Sequence, residues 1–220
     1  MIDAVPDLYD YAALRTLKHV TVFVPQLVQP LIVLGGSQSS EVLSPSRDHQ
    51  VALRRRRGGG GLVVLAPGDV WVDWWIPSGD PRWSGDVRAS SRWCGELWRD
   101  TLMTFVDDEV TVHEGPLDGD EAHRVICFAG RGPGEVFIAG RKAVGVTQWR
   151  VREGVFLSSV WPAHDSKSAL ALLRVVPEGL AQALDRQEFA SGNNVRPDEI
   201  VASLVLRTGA SSVRRPNLLR

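Results

Sequence analysis

Cysteine and lysine are the scarce residues of this chain. Only Cys94 and Cys127 occur in 220 residues. Two cysteines without metal-ligand spacing give neither a disulfide framework nor a zinc site. Lysine occurs at Lys18, Lys142 and Lys167 alone, so each can be weighed individually. Long apolar runs are also missing. No stretch approaches the roughly 20 residues of a membrane-spanning helix, and no charged-then-apolar leader opens the chain. The expectation is a cytoplasmic protein with no membrane association. A formal net charge of -1 argues against a general nucleic-acid binder. No GxxxxGKS/T phosphate loop is present, no glycine run has the strand–GxGxxG–helix context of a dinucleotide fold, and no repeat of fixed period is found.

The composition that remains, 44% hydrophobic and 23% charged, is that of a chain able to bury a real core. One domain over residues 1–206 is expected, with a basic and partly disordered tail over residues 207–220.

The most unusual stretch is Arg54-Arg55-Arg56-Arg57 followed directly by Gly58-Gly59-Gly60-Gly61. Glycine has no side chain to pack and loses the most entropy on folding. Such a run is tolerated where another group must approach the backbone or where φ is positive. Four cations beside exposed amides suit an anion cradle; a flexible basic surface loop is the plain alternative. The loop is followed by two strands, Leu62–Leu65 and Val70–Ile76, joined by Ala66-Pro67-Gly68-Asp69. On the second strand Val70, Val72, Trp74 and Ile76 share one face. Trp71 and Trp75 share the other with Asp73 between them, so Asp73 is either exposed or bound to something.

Elsewhere, helices are expected over Leu8–Lys18, Val87–Val106, Ser166–Val175, Glu178–Phe189 and Pro197–Leu206. Strands are expected at Thr21–Val24, Leu31–Leu34, Val110–Val112, Arg124–Phe128, Glu135–Ala139, Lys142–Gln148 and Val155–Trp161. Cys94 falls on the apolar stripe of the Val87 helix and reads as a small core residue. Strands first and helices late favour an α+β fold with mixed β-sheets flanked by helices.

Three segments together resemble the lipoate–protein ligase family. The arginine–glycine run with Leu62-Val63 resembles the family's RRxxGGGAV segment. Gly140-Arg141-Lys142-Ala143-Val144-Gly145-Val146-Thr147-Gln148 resembles its glycine–lysine strand, and Leu34-Gly35-Gly36-Ser37-Gln38 its early LGRxQ turn. Ala66-Pro67-Gly68-Asp69 is similar to the HGPGQ turn of the related octanoyltransferases. The resemblance covers about residues 30 to 162 and implies a biotin/lipoate protein ligase-like catalytic domain without a C-terminal accessory domain.

What it implies chemically is activation of lipoate or octanoate with ATP and Mg2+ as an acyl-adenylate. The acyl group then passes to a lysine on a lipoyl-carrier domain, of a 2-oxoacid dehydrogenase E2 or the glycine cleavage carrier. Lys142 takes the catalytic position. Arg55, Gly58, Gly59, Gly60, Gly61, Gly140 and Gly145 take substrate and nucleotide positions, and Glu135 that of a Mg2+ ligand. The chain also departs from the pattern. Gly134-Glu135 stands in place of Asn-Asp, Phe156-Leu157-Ser158 in place of His-His-Gly, and Arg57 where serine or threonine is usual. Leu65 replaces the transferase histidine, and no cysteine follows Lys142. Acyl transfer from a carrier, or acyl-ligand binding without catalysis, are the alternative readings.

Overall fold

The structure is a computed structural model that describes residues 5–119, 124–190 and 195–218. A one-turn helix α1 (Tyr11–Leu14) leads into β1 (Thr21–Phe23) and β2 (Leu31–Leu34). β3 (Ala52–Arg55), β4 (Val63–Leu65) and β5 (Val70–Pro77) follow, then the long helix α2 (Val87–Leu102). Next come β6 (Val110–Val112), β7 (Val136–Ile138), β8 (Arg141–Val151) and β9 (Gly154–Trp161). The C-terminal part holds α3 (Leu180–Leu184), α4 (Pro197–Thr208) and β10 (Ser212–Arg214).

The strands form a seven-stranded sheet in the order β10-β1-β5-β9-β8-β7-β6 and a three-stranded sheet in the order β3-β2-β4. β1/β10 and β2/β3 are parallel; the other pairs are antiparallel. This is the mixed α+β arrangement expected from the order of elements.

Every residue of β5 is buried. Its period-2 alternation therefore serves two cores at once. Val70, Val72, Trp74 and Ile76 enter the core shared with α2 and α4, beside Trp98, Leu102, Ile200 and Leu204. Trp71 and Trp75 enter the other, with Leu31 to Leu34 of the small sheet and with Phe23 and Phe156. Each aromatic ring removes roughly 150–250 Å2 from water, so these tryptophans dominate the apolar gain on either side.

Asp73 lies in the tryptophan face and is fully buried. Its carboxylate accepts from Tyr9 Oη at 2.6 Å, from Trp71 Nε1 at 2.7 Å and from the Ser159 amide at 3.3 Å. Of the two sequence possibilities the bound one holds. Tyr9 thereby anchors the N-terminal segment, whose Leu8 amide donates to the Arg55 carbonyl at 2.7 Å while Pro6 accepts from the Arg55 amide at 2.8 Å.

Several expected elements are shorter or absent. The Leu8–Lys18 helix is confined to Tyr11–Leu14, because residues 6–8 pair with β3 instead. Arg124–Phe128 forms no strand and contributes one bridge, Leu62 to Ile126. Ser166–Leu172 is a 3-10 helix, closed where Leu173 bridges to Leu43. The Glu178–Phe189 helix shrinks to α3, starting after Gly179 at φ +79°. The expected basic tail supplies β10, whose Arg214 carbonyl accepts from the Val24 amide at 2.9 Å, and Leu218 is buried in the core.

Burial pushes the Asp73 pKa up to about 7, against the pull of hydrogen bonds from Tyr9, Ser158, Trp71 and the Ser159 amide. An unfolded aspartate ionises near about 4. Between those two values the native state holds a proton that the unfolded chain has released, so stability falls as pH rises through this window and levels off above it. Urea unfolding across the window tests this. Relative to Asp73→Asn, the wild type loses on the order of 4 kcal/mol between the two limits; a pH-independent difference would exclude a buried neutral carboxyl.

Candidate functional site

The arginine–glycine run closes the gap between β3 and β4, and its last three arginines take different roles. Arg54 and Arg55 end β3. The Arg55 guanidinium donates to the Gly35 and Gln38 carbonyls and braces the turn after β2. Arg56 turns inward and is only 4% exposed. Its Nη2 donates to Gly59 O at 2.8 Å and to Gly61 O at 2.7 Å, and Nε reaches Gly59 O at 3.2 Å. Its Nη1 is buried without a partner, and burial lowers its pKa. Arg57 turns outward, pairs with Asp7 at 2.7 Å and stacks over the Tyr11 ring. The Arg57 amide donates to Tyr11 Oη at 3.1 Å.

The glycines are held from outside as well. The Gly36 amide donates to Gly58 O at 2.8 Å, and Thr147 Oγ1 on β8 donates to Gly59 O at 3.0 Å. Gly60 sits at φ +88°. A Cβ on Gly61 would lie 2.4 Å from the Arg124 carbonyl oxygen and 2.5 Å from that of Val125. The held loop, not the flexible one, is what the chain forms. A cavity of about 10 Å3 beside Arg56 and Gly58 is walled by Tyr11, Trp149 and Phe156.

Lys142 begins β8 and is 3% exposed. Its Nζ donates to Cys127 O at 2.7 Å and Gly130 O at 2.7 Å, and pairs with Glu135 Oε2 at 2.7 Å. An ammonium has three donors, and all three are used. Glu135 Oε2 also accepts from the Gly132 amide at 2.7 Å. Burial pushes the Glu135 pKa up, and Lys142 opposes that shift. Lys142 lines a cavity of about 320 Å3 with Arg131, Arg186, Phe128, Gly130 and Gln182. The segment after α3 fixes this end of β8: Lys142 N donates to Arg186 O at 2.7 Å, and Glu188 N to Lys142 O at 2.8 Å. Gly140, at φ +75°, makes the preceding turn. Gly145 leaves room for its neighbours, since a Cβ there would lie 3.2 Å from the Phe128 ring and 3.6 Å from Cys127 Sγ.

The glycine loop and Lys142 line different cavities with no residue in common. Backbone pairing joins them. Leu62 N donates to Val125 O at 2.9 Å, and Cys127 N to Leu62 O at 2.9 Å.

No family model matches this sequence, and no curated protein matches it. Solved structures do. A lipoate-protein ligase A bound with ATP superposes with a TM-score of 0.68 at 16% identity, over 96% of this chain and 81% of that one. A Thermoplasma acidophilum protein described as a lipoate protein ligase, with bound lipoic acid, gives a TM-score of 0.67 at 15% identity over the same shares. The bi-partite lipoate protein ligase of the same organism, described with its E2 lipoyl domain, gives 0.66 at 16% identity over 96% of this chain and 79% of that one. The chain has the lipoate-protein-ligase fold.

On this fold Glu135 faces a cation that the chain itself supplies. Among the described residues no group of three or more His, Cys, Asp or Glu side chains could hold a metal ion, and Glu135 Oε2 already takes the Lys142 ammonium and the Gly132 amide, so a Mg2+ ion there would have to share or displace these partners. No described helix is long and apolar enough to cross a membrane. Cys94 is a core residue whose thiol is pushed up by burial. Three residues escaped sequence reasoning: Arg56 as the internal brace of the loop, Tyr11 as its outer anchor, and Cys127. The signal for Cys127 is its place between the glycine loop and the lysine strand, ahead of Lys142 in the sequence.

Two alanine substitutions separate a held loop from a loose one. A Cβ at Gly59 meets nothing within 4 Å, so Gly59→Ala is expected to change stability by no more than about 0.5 kcal/mol. Gly61→Ala forces backbone apart and is expected to cost roughly 1–3 kcal/mol. Thermal unfolding of both variants reads the contrast; equal neutrality would mean that the loop is not fixed.

Proposed function

We propose that the chain is a lipoate-protein-ligase-like enzyme that activates a lipoyl or medium-chain carboxylate with ATP and passes the acyl group to a carrier-domain lysine. The observation that carries this reading is the Lys142 ammonium on the wall of a cavity of about 320 Å3 that Arg131 and Arg186 also line. Three cations around one cavity suit the anions of such a reaction, a carboxylate and a phosphate chain that otherwise repel each other. ATP supplies the adenylyl group, and pyrophosphate leaves as the carboxylate oxygen takes it up. Lys142 holds the carboxylate by exchanging one neutral carbonyl partner, Cys127 O or Gly130 O, for the charged oxygen. Glu135 keeps the ammonium aimed. The lysine amine of the carrier domain then attacks the acyl carbonyl and AMP departs. This reading places the protein in the cytoplasm, with lipoyl-carrier domains such as those of E2 or the glycine cleavage system as partners.

The test is pyrophosphate release with octanoate or lipoate and ATP, with mass-spectrometric detection of the acyl-adenylate. Lys142→Ala alone leaves Glu135 buried and unpaired, at a cost of about 3–5 kcal/mol. The Lys142→Ala/Glu135→Gln double variant removes that charge and is expected to fold. It is expected to lose at least about 100-fold in rate. Full activity in that variant, or acyl-ligand binding with no adenylate in the wild type, would sink the assignment.

One observation favours a second reading. The half-buried Cys127 lies next to both parts of the site: its peptide pairs with Leu62 after the glycine loop, its carbonyl accepts from Lys142, and its thiol packs toward Gly145. A covalent, two-step acyl transfer from a carrier thioester uses a protein thiol. The Cys127 sulfur would attack the thioester carbonyl and the carrier thiol would leave with the proton. The acceptor lysine would then displace the Cys127 sulfur. Incubation with an octanoyl-carrier thioester and no nucleotide decides between the two. Under this reading a mass increment of one octanoyl group appears on the wild type and is abolished in Cys127→Ser; under the ATP-dependent reading Cys127→Ser keeps its adenylate yield.

A further inference from the structure

A second cavity, of about 500 Å3, lies between the N-terminal segment around α1 and the C-terminal residues after β10, and it shares no lining residue with the Lys142 cavity. Its floor is apolar. Leu8, Leu14, Phe23 and Leu218 line it, and all four are buried side chains of the tryptophan-side core. The exposed Arg214 and Arg215 stand at its rim, and Arg54, Asp7 and Asp10 also line it. Both aspartates are already engaged. Asp7 is held by Arg57, which lies outside the cavity, at 2.7 Å. Asp10 Oδ1 caps α1 by accepting from the Ala13 amide at 2.9 Å.

A hydrocarbon floor with an arginine rim selects an amphipathic anion. A bare phosphate or a polyanion would leave the apolar floor unused, and a cation would meet the arginines. Arginine presents paired donors that match a carboxylate, and the volume falls within the range of small-molecule sites. We propose that this cavity binds a medium-chain carboxylate, with its head at the Arg214–Arg215 rim and its tail over Leu8, Leu14 and Phe23. This is a site separate from Lys142 and does not rest on the proposed reaction. A ligand here touches both chain ends. It therefore ties the C-terminal residues to the segment whose Leu8 amide pairs with Arg55 at the start of the glycine loop.

The test is calorimetric titration of the full-length Lys142→Ala/Glu135→Gln chain, which lacks the ammonium that would hold a carboxylate in the other cavity, with decanoate, and with decylamine as the control of equal chain length and opposite charge. Two exposed positions on the lining allow substitution without touching the core: Ala13→Trp fills the space, and Arg215→Glu reverses the rim charge. Decanoate is expected to bind, decylamine is not, and each substitution is expected to weaken decanoate at least ten-fold. In the wild-type chain the same site is expected to be present and to respond to Ala13→Trp and Arg215→Glu in the same way. Absence of decanoate binding, equal binding of decylamine, or decanoate affinity that survives both Ala13→Trp and Arg215→Glu would each overturn the proposal.

Discussion

The rest of the structure depends on the burial of β5 on both faces. A strand from Val70 to Pro77 with no exposed residue needs a separate apolar layer on either side, and this chain supplies them differently. α2 and α4 cover the valine face, and the three-stranded sheet covers the tryptophan face. That asymmetry fixes where a site can form. The helical side is a plain core. The small-sheet side carries the loops that connect β2, β3 and β4, and so carries the arginine–glycine run. Asp73 is the polar cost of this arrangement, since a carboxyl buried between indoles must find donors. Tyr9 and Trp71 provide them, and through Tyr9 the demand of one buried atom positions the segment that flanks Arg55.

Two buried cations then share the site, and they are neutralised by different means. Arg56 meets no described carboxylate; its donors go to carbonyls of the loop it precedes, with Nη1 left over. Lys142 has a carboxylate and two carbonyls. A guanidinium spreads its charge over a plane and is weakly hydrated, so carbonyls alone can hold it in a dry place; an ammonium is a compact, strongly hydrated charge and needs an anion there. The two cations therefore differ in what a ligand would have to do. At Arg56 an anion would add to an incomplete shell. At Lys142 it would have to replace a partner.

The fold was largely readable because it rests on alternation and on β-branched runs. β2 matches its expected limits, Leu31 to Leu34, and β5, β6 and β9 lie within a residue of theirs, since a buried strand leaves an unbroken or alternating apolar signature. What failed were the short elements. The stretch from Leu8 carries helical spacing, yet its backbone pairs with Arg55, a contact 47 positions away in sequence (55 less 8) that no local pattern records. The basic composition of the last residues suggested a loose tail, whereas β1 has an open edge that Ser212–Arg214 fills. At the site, residue types could be read but not their partners. Glu135 looked available for a metal because nothing in the spacing says that Lys142, seven positions on (142 less 135), folds back across the hairpin to meet it.

The glycine loop and Lys142 occupy separate cavities, but they are not independent. Leu62 is bonded through its amide to Val125 and through its carbonyl to Cys127, and the Cys127 carbonyl in turn holds the Lys142 ammonium at 2.7 Å. A ligand that moved the glycine loop would therefore pull on one of the acceptors that keep Lys142 engaged. Conversely, freeing Lys142 from the Cys127 carbonyl would loosen the strand edge on which Gly61 closes. A Cβ on Gly61 would lie 2.4 Å from the facing Arg124 carbonyl oxygen, so this glycine has little room to move without Leu62 moving too. Close packing of this kind passes displacement on rather than absorbing it. The two parts of the site are thus joined through Leu62 and Cys127, although they line separate cavities.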